Sequence, residues 1–110
     1  MTPSRLTGAQ VHQDLTQLHA WTRHSNPDCI EKNWQFDSFS TAVAFFDKVA
    51  ALAEQHNHHP ECLSVYRRIR IRLWTHDAGG LTALDFGLAK AIDLLITQEF
   101  PNAVQTAAST

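Results

Sequence analysis

Seven histidines stand among the 110 residues, and three of them fall in the short run His56-Asn57-His58-His59-Pro60. Another, His76, closes an apolar segment downstream. A free imidazole titrates near ~6.5, so His58, His59 and His76 brought together would offer both a proton donor and a proton acceptor at neutral pH. A carboxylate that accepts an imidazole N–H fixes the tautomer and raises the ring's basicity, a role open to Glu54 and Asp85. General acid–base chemistry is therefore the expectation for this part of the chain.

Each of these residues also has a plainer reading. Cationic side chains just past a helix C-terminus are stabilising in themselves, so His58 and His59 could serve only as solvated capping groups. His56 falls beside Leu52 and Ala53 on an apolar stripe and reads as structural. His56-x-His58 with His59 and His76 could supply nitrogen ligands to a metal. No HExxH pattern or cysteine pair accompanies them, and adjacent histidines on extended backbone diverge, so no metal site is expected. Asp85 also suits a capping box, Glu54 a helix surface and Trp21 the edge of a core. The run Arg67, Arg68, Arg70, Arg72 looks like a nucleic-acid patch, but strand alternation puts only some of these on one face, a solvated or subunit-contacting one.

Helices and strands must carry these groups to one place. Thr7 with Gln10 makes a capping box ahead of Val11, Leu15 and Leu18, which predicts a helix over 8–19. Residues 20–36 read as a hairpin, with Asn26-Pro27-Asp28 as its turn and Ile30, Lys32, Trp34 and Phe36 alternating along its second strand. Asp37 or Ser38 caps a second helix whose stripe is Phe39, Ala42, Val43, Phe46, Val49, Ala50, Ala53 and His56. Asn57 suits a left-handed helix end and Pro60 forbids continuation, which leaves His58 and His59 on the loop. Cys62 to Tyr66 and Ile69 to Thr75 read as strands joined at Arg67-Arg68; 76–80 is a loop, and Thr82 caps a third helix that ends before Pro101. The order predicts a single α+β domain: a four-stranded antiparallel sheet with three helices on one face, a core over about 6–98, and a flexible tail over 101–110.

Composition agrees with one ordinary folded domain, at 44% hydrophobic and 18% charged residues. Nine Lys plus Arg against eleven Asp plus Glu give a net charge of -2, so nothing global attracts a polyanion and no nucleic-acid partner is expected. Cys29 and Cys62 are too few for a disulfide framework and fit a reducing cytoplasm. The start MTPSRLTGAQ lacks the apolar stretch of a signal peptide, and no run approaches the ~20 apolar residues of a membrane span.

Together these residues carry a resemblance. Glu54-x3-His58-His59-Pro60-x5-Tyr66-x9-His76-x8-Asp85 is similar to the signature of the pterin-4a-carbinolamine dehydratases: a polar residue, His-His-Pro, an aromatic, a His and an Asp at these spacings. LTGAQVHQDLTQLHAW resembles that family's first helix, and the likeness covers roughly 6–97. It implies the same helix and strand order. It also implies a lyase that dehydrates 4a-hydroxytetrahydrobiopterin to quinonoid dihydropterin, so recycling the cofactor of aromatic amino acid hydroxylases. By that resemblance His58, His59 and His76 are catalytic, with His58 and His76 as the acid/base pair and His59 holding the pterin. Glu54 and Asp85 would orient imidazoles and Trp21 would line the pocket. The pterin is then the substrate, no cofactor is required, and a homodimer or homotetramer is expected. Animal members also bridge a homeodomain transcription factor, so a protein-interaction module is the competing function.

Overall fold

The structure, a computed structural model, describes residues 3–107. Its elements run α1 (Gly8–Leu15), β1 (Thr22–His24), β2 (Cys29–Gln35), α2 (Phe39–His56), β3 (Glu61–Val65), β4 (Arg68–Leu73), α3 (Ala83–Glu99) and β5 (Val104–Thr106). The α+β order expected from periodicity is present. The Thr7–Gln10 capping box forms in both directions, at 3.1 and 2.8 Å. The helix it opens stops at Leu15 instead of residue 19, where the Thr16 hydroxyl turns back onto the Gln13 carbonyl at 2.6 Å.

All pairings are antiparallel, in the order β1-β2-β4-β3. The expected sheet had four strands; β5 adds a fifth by pairing with Asn33 to Gln35 of β2, along the edge that β1 occupies further on. Residues 104–106 of the segment read as a flexible tail are thus paired in the sheet, and 108–110 lie outside the described residues. The turn between β3 and β4 falls at Tyr66-Arg67, one residue earlier than expected, with Tyr66 at a φ of 54°.

Register decides what each sheet face carries. Ile30, Lys32 and Trp34 stand opposite Leu73, Ile71 and Ile69. All of these but Lys32 share one core with Phe45 and Val49 of α2, Phe86, Leu88 and Ile92 of α3, and Val11 of α1, so the helices cover this face. At its centre Phe45 lies 5.2 Å from Trp34, 4.9 Å from Phe36 and 5.6 Å from Phe100 between ring centroids, contacts worth ~0.5–1.5 kcal/mol each beyond burial. Of the expected α2 stripe, Ala42, Val49 and Ala53 are buried alongside Phe45. Phe39, Val43 and Phe46 point outward, 53%, 46% and 44% exposed.

The other face carries Glu31, Asn33, Arg68, Arg70 and Arg72, so the arginine run divides as strand alternation requires. Glu31 is buried there, accepting from Arg72 Nε at 2.7 Å and Asn33 Nδ2 at 3.1 Å. Burial alone would raise its pKa, but the hydrogen bonds from Arg72 and Asn33, together with the nearby charges of His24 and Arg72, outweigh it and hold the carboxyl below its ordinary 4.5. A carboxylate depressed in the folded state contributes stability in full above its ordinary value and loses it as the pH falls through the lower folded value. The thermal midpoint of the wild type is expected to fall below about pH 4.5 more steeply than that of Glu31→Gln, which starts lower at pH 7. Parallel curves in a calorimetric pH series would remove Glu31 from this role.

Candidate active site

The site is built where α2 ends. Asn57 takes the left-handed conformation (φ 49°), its amide closes on Glu54 O at 3.2 Å, and the His58 amide closes on Ala53 O at 3.1 Å. An asparagine tolerates that geometry, and it turns His58 inward against the start of α3. His58 Nε2 lies 2.6 Å from Asp85 Oδ1, with His58 9% exposed and Asp85 fully buried. A carboxylate can only accept, so Nε2 carries the proton. Nδ1 is left as the ring nitrogen with no protein partner among the described residues.

Asp85 also caps its own helix while it meets His58. It is the third residue of α3, and its Oδ2 accepts the Thr82 amide at 2.9 Å to complete the capping box. The same oxygen accepts the Thr75 hydroxyl at 3.0 Å, and Thr75 lies 2.7 Å from the Thr82 hydroxyl. The positive end of the helix adds to the stabilisation of the anion.

His76 opens a single 3₁₀ turn, His76–Ala78, closed by Gly79 at a φ of 70° and by the pairing of Thr75 with Gly80. Its side chain is exposed. His59 is exposed too, with Nε2 3.3 Å from Glu54 Oε1, an open pair that orients the ring more than it stabilises the fold. His58, His59 and His76 line one cleft of about 430 Å³, with Trp74, Thr75 and Asp77 in its wall. A cleft of about 470 Å³ on the open sheet face is lined by Leu63, Val65, Arg68 and Arg70 and holds no group suited to proton transfer near neutrality.

Trp21 does not reach the histidine cleft. Its indole lies in the core and donates to Asp93 at 3.0 and 3.1 Å, and Lys32 Nζ donates to the same carboxylate at 2.8 Å. The indole at the cleft is Trp74, which sequence reasoning assigned no role. Glu54 lies beside the cleft rather than in its wall, in a groove of about 200 Å³ formed with Phe46, Ala50 and Pro60, and His59 borders both spaces. Among the described residues no three His, Cys, Asp or Glu side chains gather as a metal site would need. Thr75 and Thr82 are the participants that histidine spacing did not reveal, although strand alternation turned Thr75 to the core and Thr82 was legible as a cap.

A buried carboxylate–imidazole pair thus opens on a cleft with two solvent-exposed imidazoles, set on an α+β domain, a combination of groups chemically able to give and take protons near neutrality. The sequence model of the pterin 4 alpha carbinolamine dehydratase family matches residues 4–95. A Rhodopseudomonas palustris protein provisionally named for that dehydratase is 39% identical over 97 residues, covering 88% of this chain and 96% of its own. A transcriptional coactivator/pterin dehydratase from Brucella melitensis superimposes with a TM-score of 0.80 at 33% identity, over 84% of this chain and 98% of that one. A pterin dehydratase-like protein described as a RuBisCO assembly factor in the alpha-carboxysome superimposes with a TM-score of 0.60 at 26% identity, over 70% and 89% of the two chains. The chain belongs to the pterin 4 alpha carbinolamine dehydratase family. No helix among the described residues is long and apolar enough to cross a membrane.

The Asp85 network has a direct consequence for stability. Both carboxylate oxygens accept, whereas an asparagine amide has a single oxygen, so Asp85→Asn must set its NH2 against His58 or against Thr75 and Thr82. Each buried donor left without an acceptor costs about 1–3 kcal/mol. Urea unfolding at pH 7 is expected to give Asp85→Asn a loss of that size, and an unchanged midpoint would mean that the network does not hold in solution.

Proposed function

We propose that the chain is a lyase that dehydrates 4a-hydroxytetrahydrobiopterin to quinonoid dihydropterin and water. The observation that carries this reading is the buried His58–Asp85 pair facing the same cleft as His59 and His76. In the reaction the C4a–O bond breaks, N5 loses its proton and a C4a–N5 double bond forms. Hydroxide leaves poorly, so an imidazolium that protonates the 4a-hydroxyl lowers the barrier while a neutral imidazole receives the N5 proton. His58 and His76 form this acid/base pair. Asp85 fixes the tautomer of His58, Glu54 orients His59, and His59 holds the pterin against the Trp74 side of the cleft. The pterin is the substrate, and the steps as written require neither a metal nor a redox cofactor.

The tetrahydropterin regained after reduction would return to an aromatic amino acid hydroxylase, and the cytoplasm is the compartment for this work. Both cysteines are free, and burial pushes the Cys62 thiol up to about 11, which makes it a poor nucleophile. A protein-interaction module is the second reading, favoured by the outward stripe of Phe39, Val43 and Phe46 on α2. Our reading gives that stripe to further copies of this chain, as a homodimer or homotetramer. Light scattering at micromolar concentration is expected to give a multiple of 12.4 kDa, and a mass of 12.4 kDa would count against self-association.

The test of the chemistry is quinonoid dihydropterin formation in a coupled phenylalanine hydroxylase assay with EDTA present. His58→Ala and His76→Ala are expected to lower kcat by ~10²–10⁴-fold, the worth of general acid–base assistance. His59→Ala should raise KM more than it lowers kcat. Near wild-type kcat in both proton-transfer variants, with circular dichroism unchanged, would overturn the assignment.

A further inference from the structure

Asp85 Oδ2 receives two donors, and one of them belongs to a hydroxyl chain that the acid/base roles do not use. Thr75 has a single hydroxyl proton, and the geometry has it donated to Asp85 at 3.0 Å. The 2.7 Å contact between Thr75 and Thr82 must then run from the Thr82 hydroxyl to the Thr75 oxygen. Thr82 Oγ1 in turn accepts the Leu84 amide at 3.2 Å. The result is a directed chain: Leu84 amide to Thr82 hydroxyl, to Thr75 hydroxyl, to Asp85 Oδ2, with Asp85 Oδ1 against His58 Nε2 at 2.6 Å. Thr82 and Asp85 are fully buried and Thr75 is 6% exposed, so water does not compete for these bonds. In a chain of this kind each bond polarises the next.

We propose that Thr75 is a positioning residue that sets the strength and direction of the His58–Asp85 hydrogen bond, and through it the proton transfer at His58. Thr75 immediately precedes His76, and its backbone pairs with Gly80 to close the His76 turn, so one residue holds both imidazoles of the acid/base pair in register. With the Thr75 hydroxyl gone, Oδ2 keeps the Thr82 amide alone and the carboxylate is held by one bond fewer about its side-chain torsion. Ring placement at His58 then loosens. A misplacement of ~1 Å in such a group is enough to cost up to ~10²-fold in rate.

The inference rests on the dehydratase reading for its kinetic consequence but not for its structural one, and the experiment separates the two. Thr75→Val keeps the volume and removes the hydroxyl; Thr75→Ser keeps the hydroxyl and removes a methyl. The first measurement is the downfield proton NMR resonance of the His58 imidazole N–H, identified by its loss in His58→Ala. Thr75→Val is expected to displace this resonance and Thr75→Ser to restore it. In the dehydratase assay Thr75→Val should lower kcat about 10- to 100-fold with KM changed less than about 2-fold, and Thr75→Ser should return kcat to near the wild-type value. Thr82→Ala leaves the bond from Thr75 to Asp85 but removes the donor to the Thr75 oxygen, and should displace the resonance by a smaller step. If Thr75→Val does not fold, Thr82→Ala and Thr75→Ser decide the matter on the same resonance. An unmoved resonance in Thr75→Val, or in Thr82→Ala if the former does not fold, overturns the proposal. So does a Thr75→Ser variant as impaired as Thr75→Val, since the methyl and not the hydroxyl would then matter. A displaced resonance in a chain without dehydratase turnover would support the hydrogen-bond chain and reject the function.

Discussion

Asp85 keeps a carboxylate entirely out of water, and three parts of the chain converge on it. An isolated charge in such a place is prohibitively costly, so its position is permitted only where donors surround it. Here they are the Thr82 amide of α3's own first turn, the Thr75 hydroxyl just beyond β4 and the His58 ring from the loop after α2. Each donor comes from a different place in the sequence, so satisfying Asp85 fixes how α2, β4 and α3 meet. The cap that starts a helix and the partner that orients an imidazole are one group.

The surroundings of that carboxylate divide the histidines by burial. His58 is held by its backbone bond to Ala53 and its ring bond to Asp85, so its tautomer and direction are settled before any ligand arrives. His59 and His76 stand in solvent on short connections, His59 with an open contact to Glu54 and His76 with no protein partner among the described residues. The turn bearing His76 is kept short by the Thr75–Gly80 pairing, and Arg5 packs against Gly80 closely enough that a Cβ there would lie 2.6 Å from its Nε. Gly80 thus lets the N-terminal segment lie against the loop that carries His76, where the Leu6 amide also bonds Leu81 O at 2.8 Å.

What was legible in the sequence is what short-range chemistry dictates. Thr82-x-x-Asp85 before an apolar run, Asn57 before His58 and Pro60, and the alternation of Ile69, Ile71 and Leu73 each state their local structure. The pairing of His58 with Asp85, 27 positions apart, was not among them: the sequence offered Glu54 and Asp85 alike as carboxylates that could orient an imidazole. Long-range partners are different. Trp21 finds Asp93 across 72 positions, and no spacing rule connects an indole in one hairpin with a carboxylate on a distant helix. β5 is held by backbone pairing of three mostly exposed residues, so its segment carries no apolar pattern to mark it. Phe45 and Phe46 are adjacent and equally apolar, so helical period could not say which of them enters the core. Tyr66 turns the β3–β4 hairpin with a positive φ at a position where neither Gly nor Asn marks it.

Among the described residues Glu31 and Asp85 are buried carboxylates with cationic or titratable partners, and comparing them shows why only Asp85 is suited to proton transfer. Glu31 accepts from Arg72, whose charge is permanent at any pH the protein meets, so the pair holds β2 to β4 and exchanges nothing. His24 lies 3.7 Å from the same carboxylate, but the arginine already satisfies it. Asp85 has no arginine or lysine among its described partners; its charge is matched by a helix end, neutral donors and one imidazole. An imidazole is the partner that can lose or gain a proton near neutrality while its hydrogen bond persists. A buried carboxylate paired with a guanidinium is a fastener. Paired with an imidazole that reaches a cleft, it sets the direction in which a proton can move.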